Sequence, residues 1–310
     1  MSLLKQIRKI VFPDFSVMGN FYGVMRESLH SPKAFLNRLN ATNFANNRAI
    51  QSVTIDCNVC GNHSGLFYDF PNIQKRAEHE IGLLRETLCC KSCGATMRQR
   101  VLAHKLLEYI SSKAGHSFAS LSDYAKTDLG LRILDTDCFS PLHRILRGKD
   151  GYVASMFLPT EKFGVELEPG IYNLNLESID FDDNRFDVVL TSDVMEHVKY
   201  DDVAHTEIRR VLDISGAYIF TVPFNPSYKF NRVLVVETGF GEMFLEKPHY
   251  HGDPLTGGIL AYRIYGKELI DSLKTKGLDV EFEIIDNQKA GIYKGDCFVA
   301  IKKNGVAISL

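Results

Sequence analysis

Residues 186–198 run Phe-Asp-Val-Val-Leu-Thr-Ser-Asp-Val-Met-Glu-His-Val. The run from Phe186 to Leu190 reads as a strong strand, and what flanks it decides the fold. Downstream, residues 201–213 form a helical pattern with Ala204, Ile208, Val211 and Leu212 on one face. Residues 217–222 (Ala-Tyr-Ile-Phe-Thr-Val) then give another strand. After a long connection, residues 267–276 predict a helix closed by Gly277, and 278–285 and 297–302 predict two final strands. Upstream, residues 131–134 form a buried-strand run, Pro141 opens a short helix, and 152–154 and 170–172 are weaker strands. This alternation predicts an α/β fold, a doubly wound parallel sheet with an antiparallel hairpin at one edge. Such sheets bind ligands beyond the carboxyl ends of their strands.

The chain has 310 residues, 45% hydrophobic and 24% charged, with a formal charge of −2. That balance gives no electrostatic reason to expect a polyanion partner, so nucleic acid is not expected. Residues 1–50 are locally basic, but the charges are scattered and read as a solvated surface. No apolar run reaches membrane-spanning length, and Lys5, Arg8 and Lys9 interrupt any leader-like start. A cytoplasmic protein is expected.

Four of the seven cysteines fall in two matching units, Cys57-Asn-Val-Cys60-Gly61 and Cys90-Lys-Ser-Cys93-Gly94, with 29 residues between Cys60 and Cys90. Two thiolates three positions apart in a tight turn can reach one tetrahedral ion, and the following glycine relieves the turn. A helix over 98–110 follows the second pair. Together these predict a small treble-clef or ribbon-like zinc module with Cys57, Cys60, Cys90 and Cys93 as ligands. Four thiolates leave no open position, so the zinc is expected to be structural. Cys89 could compete with Cys90 but does not give the matching spacing. The expected organisation is an N-terminal helical or irregular segment at 1–50, the zinc module and its helix at 51–115, a linker at 116–130, and the main domain at 131–310.

The segment from Asn175 to Val198, with its Phe-Asp-Val-Val strand and Val-Met-Glu-His-Val sequel, resembles the centre of class I S-adenosylmethionine-dependent methyltransferases of type 11. Glu207 to Gly216, running into Ile-Phe-Thr-Val-Pro-Phe, is similar to the helix and strand that follow. The resemblance covers about the last 180 residues and implies a Rossmann-like, seven-stranded sheet that binds S-adenosylmethionine. It places Asp135 at the acidic position ending the first strand, with Asp137 in the loop after it. Ser155 stands where relatives hold the ribose, and Asn175 with Leu176 where they meet adenine. Ser192 and Asp193 fall where the methionine end and the acceptor meet. One departure is plain. The loop 135–141 (Asp-Thr-Asp-Cys-Phe-Ser-Pro) carries Asp137, Phe139 and Pro141 where glycines are expected.

The connection 223–262 is far longer than such links need and leaves from the ligand edge. It holds Lys247-Pro-His-Tyr-His-Gly-Asp253-Pro, a segment that in similar sequences accompanies proteins of bacterial surface-glycan assembly. Methyl transfer to a hydroxyl needs proximity and a base. His197 and His251 are the candidate bases, oriented by Asp193 or Asp253, with His249 and Tyr250 lining an acceptor pocket. The function expected is methyl transfer to oxygen or nitrogen of a small-molecule or glycan-type acceptor. The competing readings are a catalytically silent scaffold, for which the glycine-free loop speaks, and an RNA-modifying enzyme. Oligomeric state is not set by the sequence.

Overall fold

A computed structural model describes residues 53–68, 85–86, 88–251 and 258–304. The segment 1–50, Asp253 and the side chain of His251 lie outside the described residues. The first element is a three-stranded antiparallel sheet, β1 (Thr54–Asp56), β2 (His63–Tyr68) and β3 (Leu88–Cys90), followed by α1 (Met97–Ala114). Thr96 caps α1 through its hydroxyl, and Gln99 reaches back to the Thr96 N–H, so two orphan donors of the first turn are satisfied. Residues 116–130, expected as a connection, contain α2 (Leu121–Ala125), whose Leu121 and Ser122 N–H groups donate to Asn58 and Val59 of the first cysteine turn.

The large sheet begins at β4 (Ile133–Asp135). Next come α3 (Pro141–Leu146), β5 (Tyr152–Met156), β6 (Val165–Glu168), β7 (Ile171–Asn173), β8 (Phe186–Ser192), a single 3-10 turn (Met195–His197), α4 (Asp201–Val211) and β9 (Leu212–Thr221). The long connection contributes β10 (Arg232–Val233), β11 (Val235–Thr238), β12 (Gly241–Phe244), β13 (His249–His251), β14 (Ile259–Ala261) and β15 (Arg263–Ile264). The chain closes with α5 (Glu268–Thr275), β16 (Leu278–Asn287) and β17 (Ile292–Lys302).

The sheet order is β16-β17-β9-β8-β4-β5-β7-β6. Strands β9, β8, β4, β5 and β7 run parallel, and β17 pairs antiparallel with β9 and β16. The doubly wound α/β class therefore holds, with eight strands rather than seven. The added one is β6, an edge strand that folds back on β7 through Gly170 at φ 76°. It went unread because Val-Glu-Leu-Glu at the edge buries neither face fully.

Alternation along β8 explains why the sheet is covered on both sides. Val188 and Leu190 join one core with Val101 and Leu102 of α1 and Leu142 of α3, whereas Val189 joins a second with Ile208 of α4 and Leu269 of α5. In the second core Tyr218, Phe220, Phe298 and Phe282 form a run of rings with successive centroids 4.2, 4.9 and 4.7 Å apart. Each such ring fully buried contributes about 1.5–3 kcal/mol. Among the described residues, no helix is long and apolar enough to cross a membrane.

Candidate functional site

Strands β4 and β8 are neighbours, but the chain leaves β4 toward β5 and leaves β8 toward β9 on the other side. This reversal opens a crevice beyond the carboxyl ends of the two strands, where Asp135 and Ser192 stand. The glycine-free loop enters the crevice without strain, since no residue from Thr136 to Pro141 has positive φ. Side chains set the loop's path. The Asp135 carboxylate accepts from the Asp137 N–H at 3.0 Å, Asp137 accepts from Phe139 N–H at 3.0 Å, and Ser140 caps α3 with Pro141 in its first turn. Two Asx turns and a helix cap thus turn the loop without any positive φ. Behind the loop, the Tyr152 hydroxyl donates to Asp135 at 2.9 Å and lies 3.3 Å from His143 Nδ1. Burial, with the Asp137 charge added, pushes the Asp135 carboxyl up to about 7. Burial raises Asp137 as well.

At the β8 side the crevice is lined by charge from the N-terminal half. Arg85 grips Asp193 with two N–H groups, one of them at 2.7 Å, and Arg98 contacts Ser192 and lies 3.6 Å from Asp193. Glu86 bridges the two arginines, 2.7 and 2.9 Å from Arg98 and 2.7 Å from Arg85. Burial opposes the carboxylates' charge, but the two guanidinium groups outweigh it and hold Asp193 and Glu86 below their ordinary range. Asp193 also has φ 51°, an uncommon conformation outside glycine, and is clamped there by two bonds with Thr221. Such strain is found where a structure holds a side chain in place for use. No local pattern pointed to Arg85 or Arg98 as site residues, because their partners at 193 and 192 are 108 and 94 positions away, and Glu86 joins the site only through them.

The other expected residues are placed as follows. Ser155 is buried in β5, and its carbonyl accepts from Cys138 N–H of the loop. The Asn175 amide oxygen accepts from Glu177 N–H at 3.0 Å, shaping the turn after β7, and Leu176 is buried beside it. His197 is not oriented by Asp193. Its Nδ1 donates to the Leu260 carbonyl of β14 at 2.8 Å, and its Nε2 lies 3.6 Å from Glu196. The long connection folds into three small ribbons, β10–β15, β11–β12 and β13–β14. It is moored beside the 3-10 turn by Tyr262 N–H donating to the Glu196 carbonyl. His249 and Tyr250 are exposed on β13.

The four expected metal ligands do converge. One sulfur each from Cys57, Cys60, Cys90 and Cys93 falls within 4.8 Å of all the others, and the sulfurs of Cys57 and Cys93 are 3.8 Å apart. Zinc–sulfur bonds of about 2.3 Å require tetrahedral sulfurs about 3.8 Å apart, so the donor set fits such an ion. Gly61 and Gly94 take φ of 76° and 75°, and their N–H groups donate to the carbonyls of Cys57 and Cys90. Cys89, buried in β3, is not part of the group.

Residues 153–220, from β5 through nearly all of β9, match the family model described as "Methyltransferase domain". The match lies within the eight-stranded sheet, and β4, β16 and β17 fall outside it. Solved structures similar to this chain include the [4+2]-cyclase SpnF, at 18% identity, 68% of this chain, 97% of that one and a TM-score of 0.37. An S-adenosylmethionine-dependent methyltransferase from Mesorhizobium loti matches at 15% identity, 58% and 94% coverage and a TM-score of 0.34. The 1,6-didemethyltoxoflavin-N1-methyltransferase of Burkholderia thailandensis matches at 14%, 66%, 88% and 0.33. No curated protein matches the sequence. The family match supports a methyltransferase enzyme that uses S-adenosylmethionine. It leaves the acceptor open.

Proposed function

We propose that the protein transfers a methyl group from S-adenosylmethionine to oxygen or nitrogen of a small-molecule or glycan-type acceptor, with a structural zinc in the cysteine cluster. The observation that carries this is the pair Arg85 and Arg98 at the carboxyl end of β8, a strand inside the stretch that matches the methyltransferase family. Two guanidinium groups already hold the Glu86 carboxylate there, in the forked geometry that suits any carboxylate. Glu86 is the internal stand-in for the amino-acid carboxylate of the cofactor, and Arg98 is the group that exchanges one for the other. The cofactor, when bound, supplies a methyl group on a positively charged sulfur. Asp135 and Asp137 shape the loop that receives it, Ser155 lies beneath the ribose region, and Asn175 with Leu176 forms the adenine end.

The proposed bases are His197 and His251. The Nδ1–H bond to the Leu260 carbonyl fixes the orientation of the His197 ring, and a base held in place is what proton removal from an acceptor needs. His251, on β13, is proposed to act with Asp253. Asp193 contributes to the site as an anchor for Arg85.

The test is calorimetric titration of the metal-loaded protein with S-adenosylmethionine and its demethylated product. Micromolar binding that weakens in Arg98→Ala and tightens in Glu86→Gln supports the proposal. A second reading, a scaffold that no longer binds the cofactor, is favoured by the same charge network filling the strand edge. Absence of binding by folded wild type and by Glu86→Gln alike establishes that reading instead.

A further inference from the structure

An antiparallel ribbon lying on a protein normally turns its apolar side inward and its charges to water. The β11–β12 ribbon is arranged the other way. Its register sets Val235 opposite Phe244, Val236 opposite Met243, Glu237 opposite Glu242 and Thr238 opposite Gly241. Because side chains alternate along a strand, Glu237 and Glu242 share one side, while Val236, Thr238 and Met243 share the other. The acidic side faces the body of the molecule. Glu237 pairs with Lys199 at 2.5 Å, and Glu242 accepts from the Tyr262 hydroxyl at 2.5 Å. Glu246, just past β12, accepts from Arg232 at 2.6 Å. These three acids are the only charged residues between Val235 and Glu246, so the other side of the ribbon carries none.

That uncharged side is exposed toward the tip. Met243 is 50% exposed and Leu245 51%, and Phe240 at the turn stands wholly in solvent. The turn is built to present it. The Phe240 N–H donates to the Thr238 hydroxyl at 3.2 Å, the same hydroxyl donates to the Gly241 carbonyl at 2.7 Å, and Gly241 takes φ 112°. A fixed, projecting phenyl ring backed by further apolar side chains marks a surface that something covers.

The shape and charge of the ribbon select what covers it. A second copy of the chain would have to seat the ring in an apolar hollow. The cavity beside the ribbon is walled by Asp201, Asp202, Arg263 and Glu268 as well as by valines, and a phenyl ring there would strip water from those charges. A fluid hydrocarbon layer needs no matching hollow. It requires an uncharged tip, which the inward turn of the acids provides, and it favours cations at the level of the lipid phosphates. Lys247, exposed and two residues after Leu245, stands at the end of the apolar run. We propose that the β11–β12 ribbon docks the protein onto a phospholipid bilayer surface, with Phe240 entering the acyl layer and Met243 and Leu245 following it. The contact lies on the membrane rather than across it, and an anchor this small binds reversibly. It draws on no cofactor residue, so it stands or falls separately from methyl transfer.

The chain has no tryptophan, so Phe240→Trp puts a single reporter at the tip. The full, metal-loaded variant is mixed with vesicles of phosphatidylcholine and phosphatidylglycerol in equal parts. Its emission is expected to shift to shorter wavelength and to be quenched by lipids brominated on their acyl chains. Sedimentation of the unsubstituted protein with the same vesicles should weaken about tenfold or more in Phe240→Ser. Ile284→Ser removes a side chain 65% exposed on β16, away from the ribbon, and should sediment undiminished. Unchanged thermal transitions report that both variants are folded. The proposal is overturned by unshifted emission in the presence of vesicles, by equal sedimentation with and without Phe240→Ser, or by an equal loss in Ile284→Ser. It is also overturned by a dimer that Phe240→Ser abolishes in a protein that ignores vesicles, which would assign the ribbon to a second copy.

Discussion

The cysteine cluster and the strand-edge crevice were both foreseen, yet they are built in opposite ways. In the cluster each half-site is local: two sulfurs three positions apart, with a glycine in the left-handed conformation closing each turn. Joining the halves needs only the β2–β3 pairing that sets Leu66 opposite Cys90. In the crevice only the loop is local. The loop that lacks glycines is shaped by Asp135, Asp137 and Ser140, and the charge beside it arrives from residues 85, 86 and 98. The difference teaches that a turn can be built from side-chain hydrogen bonds as well as from glycine. Positive φ is one way to turn a backbone, and Asx turns are another.

The largest expected effect breaks the local half of this comparison. Cys90→Ser should release the metal, measured by atomic absorption, and since site formation in zinc-finger peptides is worth on the order of 10 kcal/mol, the loss should unfold the N-terminal half. Because α1 packs directly on β17 and β9, the thermal transition of the whole described chain should fall with it. Unchanged metal content would remove zinc from these residues.

Arg98→Ala attacks the distant half. It removes the two-pronged partner of the half-buried Glu86 carboxylate and leaves Arg85 as its remaining cation, so chemical denaturation should show a loss of about 1.5–3 kcal/mol. A loss within 0.5 kcal/mol would mean that water already screens the pair.

Asp135 sharpens the contrast through pH. Its folded pKa of about 7 lies above the unfolded value of about 3.9, so between those points the native state holds a proton the unfolded chain has released. Stability from this residue therefore falls as pH rises from about 4 to 7 and is level above that. Asp135→Asn should remove the slope, gaining about 2–4 kcal/mol at pH 8 relative to its effect at pH 5. Equal urea midpoint shifts at the two pH values would show that Asp135 is ionised throughout.

The smallest effect tests how tightly the cluster is coupled to α1. Thr96→Ala removes the helix cap two residues after Gly94 and should cost about 1 kcal/mol in thermal denaturation without loss of metal. Metal release on this change would mean the helix start and the ligand turn fold as one unit.

Much of this was legible beforehand because it depends on short-range pattern. The run of strand residues 186–190, the apolar stripe of α4, Gly277 after α5 and the two terminal strands are each written within a dozen residues. The cysteine cluster was legible because two thiols three positions apart on each of two turns is the spacing a tetrahedral ion asks for. The edge strand β6 was not, since a strand paired on one side and open on the other shows no clean alternation.

The tertiary structure alone decided which groups meet. His197 had its position in the Glu-His pair from the sequence, but its partner is the Leu260 carbonyl, brought up by a ribbon 63 positions away. Asp193 was marked as a site residue, but its partners are Arg85 and Arg98 rather than an imidazole. His205 had the spacing of an ordinary core residue, and only packing could leave both its ring nitrogens unpaired. Periodicity records the face on which a side chain lies, because that is set by backbone geometry. It carries no record of which charge will stand opposite, because that is set by chain segments that meet only when the sheet has closed.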